Sequence, residues 1–137
     1  MFELWTLNFI LQWKSYFNTD GSLKAEAGKI NWPFGDYSWS DDLQGIVNNA
    51  FVYACMHGHI DAAKLLLDKG AEINTIPGGF DYAGTGLHYA ALNGHRAMVE
   101  FLLAHGADRN VKDTKVASTA SGWADYGGHP DLRDLLE

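Results

Sequence analysis

Six histidines and one cysteine are the residues of this chain whose types could do chemistry. Imidazole nitrogens are common zinc ligands, so the close pair His57 and His59 suggests a metal site. A cysteine becomes a nucleophile when a neighbouring base or cation stabilises its thiolate, and Cys55 lies two residues before His57. Which of these roles applies depends on the elements that position the side chains.

The histidine spacing follows an internal repeat of the sequence. Residues 51–59 read FVYACMHGH, residues 87–95 read LHYAALNGH, and a shorter copy near the C-terminus has GGH at 127–129. Self-similarity at a period of about 33 residues predicts stacked units, each burying its apolar face against its neighbours. Because the repeat sets the histidine positions, we interpret them as structural and expect neither a metal nor a cofactor. Cys55 aligns with Ala91, so we expect a buried, inert thiol.

One unit of the repeat predicts a helix, a turn and a second helix. Ala90 and Ala91 recur at helical spacing with the apolar residues before them, and Gly94 ends the first helix because glycine adopts a left-handed backbone without a side-chain penalty. A second helix is expected over roughly 97–105, and Gly106 ends it in the same way. Each unit therefore predicts a helix–turn–helix followed by an extended stretch.

Residues 85–110, TGLHYAALNGHRAMVEFLLAHGADRN, resemble an ankyrin repeat. Residues 49–74 resemble a weaker copy, and residues 119–137 resemble a truncated last repeat, similar to the endings of short, stand-alone bacterial ankyrin proteins. The resemblance implies an all-α fold, an ankyrin-repeat solenoid of stacked helix-turn-helix units with hairpin fingers and an N-terminal aromatic-rich cap. The expected divisions are an aromatic-rich capping segment at 1–42, a first repeat with a degenerate start at 43–76, a full-consensus second repeat with a long finger at 77–112, and a truncated C-terminal capping repeat at 113–137.

The chain departs from the family pattern at two places in the second repeat. Gly86 replaces the usual proline of T-P-L-H, and we expect this change to loosen the start of that helix. The finger TIPGGFDYAG is longer than the family pattern. In the family, a histidine in the place of His88 makes hydrogen bonds near the finger.

The resemblance implies a concave binding surface built from finger tips and from exposed positions of each first helix. Aromatic residues, methionine and a few polar groups are typical of energetically important contacts between proteins. Beside this surface, Tyr53, Tyr89 and Trp123 are expected to form a half-buried ladder. The expected partner-binding residues are Asp81, Tyr82 and Gly84 in the finger of the second repeat, Lys115, Val116 and Ser118 in that of the third, and Met56, His57, Leu92, Asn93 and Tyr126 on the first helices.

Net charge, hydropathy and cysteine content indicate which kinds of partner and which cellular compartment to expect. The net charge of −7 argues against nucleic acid or an anionic membrane and favours a protein partner with a basic or mixed surface. The sequence contains no apolar run of about 18 residues, the length that would suggest a membrane span. The N-terminal residues lack the early basic charge and small-residue cleavage site of a signal peptide, and one cysteine allows no intramolecular disulfide. We therefore expect a cytoplasmic protein.

Residues 1–40 contain four of the five tryptophans and are largely unexplained by the repeat. Trp5, Phe9 and Trp13 lie on one helical stripe, although Trp5, Leu7 and Phe9 also alternate as in a strand; we favour the helix. One interpretation is a hydrophobic cap over the first repeat. The other is an exposed aromatic surface for a partner or for self-association, and we expect a monomer or a weak homodimer.

The remaining candidates for chemistry have simpler structural explanations. The glycine-rich stretch PGGFDYAGTG lacks both GxGxxG and a GK[ST] ending, so a long finger explains it better than a phosphate loop. Asp41-Asp42 and the pair Asp131 and Asp134 stand at predicted helix starts, where carboxylates favour the helix dipole. We therefore expect a non-catalytic protein–protein interaction module that binds through its concave face and fingers. The alternative is a structural or self-associating protein that uses its aromatic N-terminal segment.

Overall fold

The computed structural model describes residues 43–77 and 83–137, together with position 19. Within these ranges the chain is helical and contains no strand. The predictions for the segment 1–42 and for the finger tip 78–82 lie outside the described residues. The six helices are α1 (Leu43–Met56), α2 (Ile60–Asp68), α3 (Gly86–Leu92), α4 (Arg96–Ala104), α5 (Ala120–Tyr126) and α6 (Pro130–Leu136).

The helices form three antiparallel pairs that stack in chain order. Within each pair the two helices pack together, and the first helices α1, α3 and α5 pack side by side along the stack. Three alanines in equivalent positions of these helices, Ala54, Ala90 and Ala124, are buried and allow the helices to approach closely. The second helices contribute Leu66, Leu102 and Leu136 to the same continuous core. The predicted stack of helix-turn-helix units is therefore confirmed in the described part of the chain.

Glycines with positive φ end the first helices, as the sequence predicts. Gly58 and Gly94 both have φ of 71°, and Gly128 has φ of 80°. In each case the backbone N–H of the following histidine donates to a carbonyl five residues earlier, as from His95 to Ala90 at 3.0 Å. Helix α4 begins at Arg96, one residue before the predicted start, because the His95 carbonyl already accepts the Val99 N–H at 2.9 Å.

The histidines after Gly94 and Gly128 also contact the preceding unit. A Cβ on Gly58 would lie 2.9 Å from Nδ1 of His95, and a Cβ on Gly94 would lie 2.5 Å from Cε1 of His129. Real side-chain carbons do not approach this closely, so each imidazole occupies space that only glycine leaves open. The repeated Gly-His dipeptide therefore joins neighbouring units, and the structural role predicted for these histidines is confirmed at His95 and His129.

Gly86 has a similar packing explanation at the start of α3. A Cβ at this position would lie 2.7 Å from Sγ of Cys55 in the preceding unit. Cys55 stands where the next repeat has the smaller Ala91, so its sulfur fills the space into which residue 86 would extend. A Cβ at 86 would also lie 3.0 Å from Cβ of Cys55, so the neighbouring helix leaves little room beyond glycine and the sulfur makes the contact closer still.

This pairing predicts a coupled effect of two substitutions on stability. Gly86→Ala should lower the free energy of unfolding by about 1–3 kcal/mol, because the added methyl group overpacks the contact with Cys55. In a Cys55→Ala background the same change should cost less, because the sulfur is gone and only the contact with Cβ of residue 55, at 3.0 Å, remains. Urea unfolding of the four proteins of this cycle, followed by circular dichroism, measures the coupling. An equal cost of Gly86→Ala in both backgrounds would contradict the explanation.

Candidate functional site

Two large hydrophobic side chains are exposed among the described residues, and both were predicted to bind a partner. Val116, in the loop between α4 and α5, is 77% exposed, and Tyr126, the last residue of α5, is 89% exposed. Isolated exposed hydrophobic residues are ordinary on protein surfaces. The arrangement of neighbouring side chains decides whether these two belong to a larger surface.

Tyr126 continues a row of apolar residues across the three units. Met56, Leu92 and Tyr126 are the last residues of α1, α3 and α5, so the stacking of the first helices brings equivalent positions into line. Met56 and Leu92 are half-buried, whereas Tyr126 projects into solvent. We call these three residues the apolar row.

The positions after Leu92 and Tyr126 contact the preceding unit and so support the row. The amide Nδ2 of Asn93 donates to the carbonyl oxygen of Met56 at 3.0 Å, which ties the end of α3 to the end of α1. At Gly127 a Cβ would overlap the carbonyl oxygen of Leu92. His57 lies half-buried at the equivalent position after Met56, with its ring 4.4 Å from that of Tyr53. Backbone-level contacts therefore fix the spacing between members of the row.

The predicted aromatic ladder lies on the same first helices. Tyr53, Tyr89 and Trp123 are all half-buried, as expected from the sequence. The rings of Tyr89 and Trp123 meet edge to face with centroids 5.0 Å apart, a favourable geometry for aromatic pairs. The Tyr89 hydroxyl accepts the Ala83 N–H at 3.1 Å, so the ladder also holds the end of the preceding finger.

Asp113 organises the finger between α4 and α5. Its Oδ1 accepts the N–H groups of Lys115 and Val116, both at 2.8 Å. Its Oδ2 accepts the Ser118 N–H and the Trp123 indole N–H, both at 2.9 Å. Burial by itself favours the neutral acid, but the hydrogen bonds from Val116, Trp123, Lys115 and Ser118 outweigh it and hold the pKa of Asp113 well below its usual range. One ionised carboxylate therefore fixes the loop that presents Val116.

His88 connects the start of α3 to the same finger. Its Nδ1 lies 3.1 Å from the backbone nitrogen of Thr85, which can only donate, so Nδ1 accepts and the ring proton is on Nε2. Nε2 then donates to the Ser118 carbonyl at 3.1 Å. Burial lowers the pKa of His88, which keeps the imidazole in this neutral form. The hydrogen bonding predicted for His88 near the finger is thus confirmed.

The other predicted site residues differ in their exposure to solvent. Lys115 is exposed beside Val116, while Ser118 is half-buried and its backbone serves Asp113 and His88. Gly84 was expected at the surface, but it is buried, and a Cβ there would lie 2.7 Å from Cβ of His88. Asp81 and Tyr82 lie outside the described residues.

The sequence did not identify Asp113 or Thr85 as important. Asp113 is 5% exposed and Thr85 is 2% exposed. Asp113 accepts from backbone groups of its own loop and from the Trp123 indole, and the Thr85 hydroxyl lies 2.8 Å from Nδ1 of His88. The available signal for Asp113 was an acidic residue followed by the turn-forming stretch TKVAS, since aspartate commonly accepts N–H groups two or three residues later.

The structure gives no support for metal or thiol chemistry at the histidines and the cysteine that suggested it. In the described part of the chain, no group of three or more His, Cys, Asp or Glu side chains could hold a metal ion. Cys55 is fully buried, as predicted, and burial raises the pKa of its thiol far above the usual value. A thiol that is protonated and inaccessible is a poor nucleophile.

None of the six described helices has the length and apolar character needed to cross a bilayer.

The Asp113 network predicts a large effect of one isosteric substitution. Asp113→Asn should lower the free energy of unfolding by about 2 kcal/mol or more, because the amide removes the charge and turns a donor toward N–H groups. Asp108→Asn is the matched control, since this carboxylate is exposed and accepts the Asn110 N–H at 2.8 Å; it should cost much less. Urea unfolding near neutral pH compares the two. Similar costs for both variants would contradict the role of Asp113.

The buried imidazoles predict a loss of stability on mild acidification. Burial lowers the pKa values of His88 and His57, and the neighbouring His59 and His95 lower that of His57 further. Below the unfolded-state pKa of about 6.5 the unfolded chain binds more protons than the folded chain, so stability falls as pH drops. His88→Asn, which can still accept from Thr85, should make this dependence shallower. Urea unfolding between neutral and mildly acidic pH tests this, and an unchanged slope in the variant would refute it.

Comparison with known proteins agrees with this architecture. A family model described as ankyrin repeats (3 copies) matches residues 35–113. The chain is 39% identical over 92 residues to the serine/threonine-protein kinase TNNI3K of Mus musculus, which covers 61% of this chain and 11% of the kinase. It is 42% identical over 67 residues to inversin of Danio rerio (47% of this chain, 6% of inversin), and 40% identical over 62 residues to the ankyrin repeat and KH domain-containing protein mask of Drosophila melanogaster (45% and 2%).

This chain therefore spans at most about a ninth of the length of these three curated relatives. The similarity covers the repeats, so the kinase activity belongs to the rest of that longer protein. The family match covers more than half of the chain and includes the first two of the three helix pairs. The chain belongs to the ankyrin-repeat family.

Proposed function

We propose that this protein is a non-catalytic binding module that holds a partner protein against the apolar row and the finger carrying Val116. Ankyrin repeats generally mediate protein–protein interaction. The observation that carries the proposal is the placement of the two large hydrophobic residues that are exposed in the described part of the chain. Tyr126 ends the apolar row and Val116 projects from the finger that precedes the same helix, both 77% exposed or more.

The rigidity of the supporting structure favours binding at this place. Asp113 fixes the finger through four hydrogen bonds, and Asn93 and Gly127 fix the spacing of the apolar row. A surface that is already ordered loses little conformational entropy when a partner binds. Tyrosine is also among the residues that most often dominate binding energy at protein interfaces.

Charge favours a partner with a mixed surface. The chain as a whole carries −7, but the exposed residues of the finger and the stretch before it include Arg109, Lys112 and Lys115. A basic patch on the partner would complement the net negative charge of this protein. An acidic group on the partner would complement the basic side chains of the finger. Nucleic acid and anionic membranes remain poor matches for the overall charge.

We also propose that the protein is cytoplasmic and that it is a monomer or a weak homodimer. Its single thiol is buried and has no second cysteine with which to form an intramolecular disulfide, which suits a reducing compartment. The apolar row is a surface for another protein, and the proposal requires no second copy of the chain.

Affinity capture from the source cell tests the proposal, with the full chain as bait. A Val116→Ser/Tyr126→Ser variant should stay folded, because both side chains are exposed, and should lose a protein that the natural chain retains. Binding of that protein, measured by calorimetry, should weaken by about thirtyfold or more, since two central hydrophobic contacts are removed.

The matched control changes two exposed alanines of α4, as Ala97→Ser/Ala104→Ser, and should capture the same protein as the natural chain. Equal capture by the Val116/Tyr126 variant and the control would contradict the proposed surface.

A further inference from the structure

The finger between α4 and α5, with the stretch that leads into it, carries positive charge on an otherwise acidic protein. Between residues 109 and 117 the basic side chains of Arg109, Lys112 and Lys115 are all exposed. The one acidic side chain of this stretch, Asp113, is 5% exposed and is turned inward by its hydrogen bonds. The chain as a whole carries −7, so the outer surface of the finger has the opposite sign to the rest of the molecule.

The arginines of the helices on either side of the finger do not produce a similar surface. Nε of Arg96 lies 3.0 Å from Oε1 of Glu100, and its Nη1 lies 3.3 Å from Oδ2 of Asp131. Nη1 of Arg133 lies 2.8 Å from Oδ1 of Asp125. Carboxylates therefore compensate both guanidinium groups, and in this half of the stack the excess of positive charge lies on the finger.

The backbone of the finger holds the basic side chains outward. The N–H groups of Lys115 and Val116 donate to Oδ1 of Asp113, both at 2.8 Å, which fixes the turn. Ala117 continues the turn with φ of 55°, a left-handed conformation that is uncommon for a residue other than glycine and persists only where the surroundings determine it. Lys112, directly before the buried Asp113, is exposed. The finger therefore presents two lysines and one valine on an ordered turn.

A basic turn with one exposed aliphatic side chain favours a particular kind of partner. Carboxylates form charge-assisted hydrogen bonds with lysine, and Val116 gains free energy when an apolar side chain covers it. A protein segment with an apolar residue between Asp or Glu residues supplies both groups. A long polyanion such as a nucleic acid would also meet the exposed carboxylates of Asp125, Asp131 and Asp134 in the helix pair that follows, which repel it.

We propose that the finger recognises a short acidic segment of the partner protein, in which an apolar side chain covers Val116 and neighbouring carboxylates pair with Lys112 and Lys115. This inference rests on the proposed function and adds the chemical class of the segment that the finger holds. Because most of the protein is acidic, such a segment is attracted to the finger and repelled elsewhere. The charges therefore also determine where on the protein it binds.

Selection from a phage-displayed library of random dodecapeptides on the immobilised full chain tests this inference. The enriched peptides should contain more Asp and Glu than the starting library, together with a large apolar residue. The affinity of a fluorescein-labelled enriched peptide, measured by fluorescence anisotropy, should fall by about tenfold or more in a Lys112→Glu/Lys115→Glu variant. Enrichment of neutral or basic peptides, or no enrichment at all, would overturn the inference.

The matched control reverses Lys64 of α2 and Lys69 directly after it, as Lys64→Glu/Lys69→Glu. It changes the net charge by the same amount and should retain the peptide. Equal weakening by both variants would indicate a general effect of net charge and overturn the inference. If the finger variant loses its helical circular dichroism, Lys112→Gln/Lys115→Gln replaces it and should weaken binding in the same direction.

Two further measurements distinguish this inference from its alternatives. A labelled single strand of oligothymidine should not bind, and binding that the finger variant abolishes would identify a general polyanion site and overturn the inference. Val116→Ser should weaken the enriched peptide, because the apolar contact is lost. Binding that needs Val116 but neither lysine would overturn the acidic segment and leave the proposed surface standing. Binding that needs the lysines but not Val116 would contradict the contact on which both proposals rest.

Discussion

The contact between each histidine ring and the glycine of the preceding unit is the constraint on which the rest of the stack depends. The glycine must adopt positive φ to reverse the chain between two helices, and it must also lack a Cβ so that the next imidazole can approach. Both requirements are met at Gly58 with His95 and at Gly94 with His129. Because the same contact recurs, successive units are held at one spacing, and equivalent residues of α1, α3 and α5 fall into line.

That alignment turns three separate residues into one surface. The members of the row, Met56, Leu92 and Tyr126, are far apart in sequence. Each of them alone would be an ordinary residue at the end of a helix. The bond from Asn93 to the Met56 carbonyl and the close approach of Gly127 to the Leu92 carbonyl hold their spacing at the level of the backbone. The finger between α4 and α5 is fixed independently by the Asp113 carboxylate. These contacts restrict which residue types can occupy the supporting positions. The exposed side chains of the row are not restricted in this way and can suit a partner.

The sequence was informative wherever a feature recurs with the repeat. The helix pairs, the glycine turns, the buried Cys55 and the half-buried aromatic ladder all follow from equivalent positions with similar residue types, and the structure confirms them. Features that occur once were harder to predict. The burial of Gly84 depends on His88, four residues later. The Asp113 network also links groups up to 10 residues apart, which no spacing rule specifies. The choice of glycine at 86 becomes intelligible only beside Cys55 in the folded chain.

Site-specific photo-cross-linking in the source cell tests the central claim most directly. A photoreactive phenylalanine analogue replaces Tyr126 in one version of the full chain and exposed Ala104 of α4 in another. The account predicts a covalent adduct with another protein from position 126 and none from position 104. No adduct from position 126, equal adducts from both positions, or an adduct that consists of two copies of this chain would contradict it.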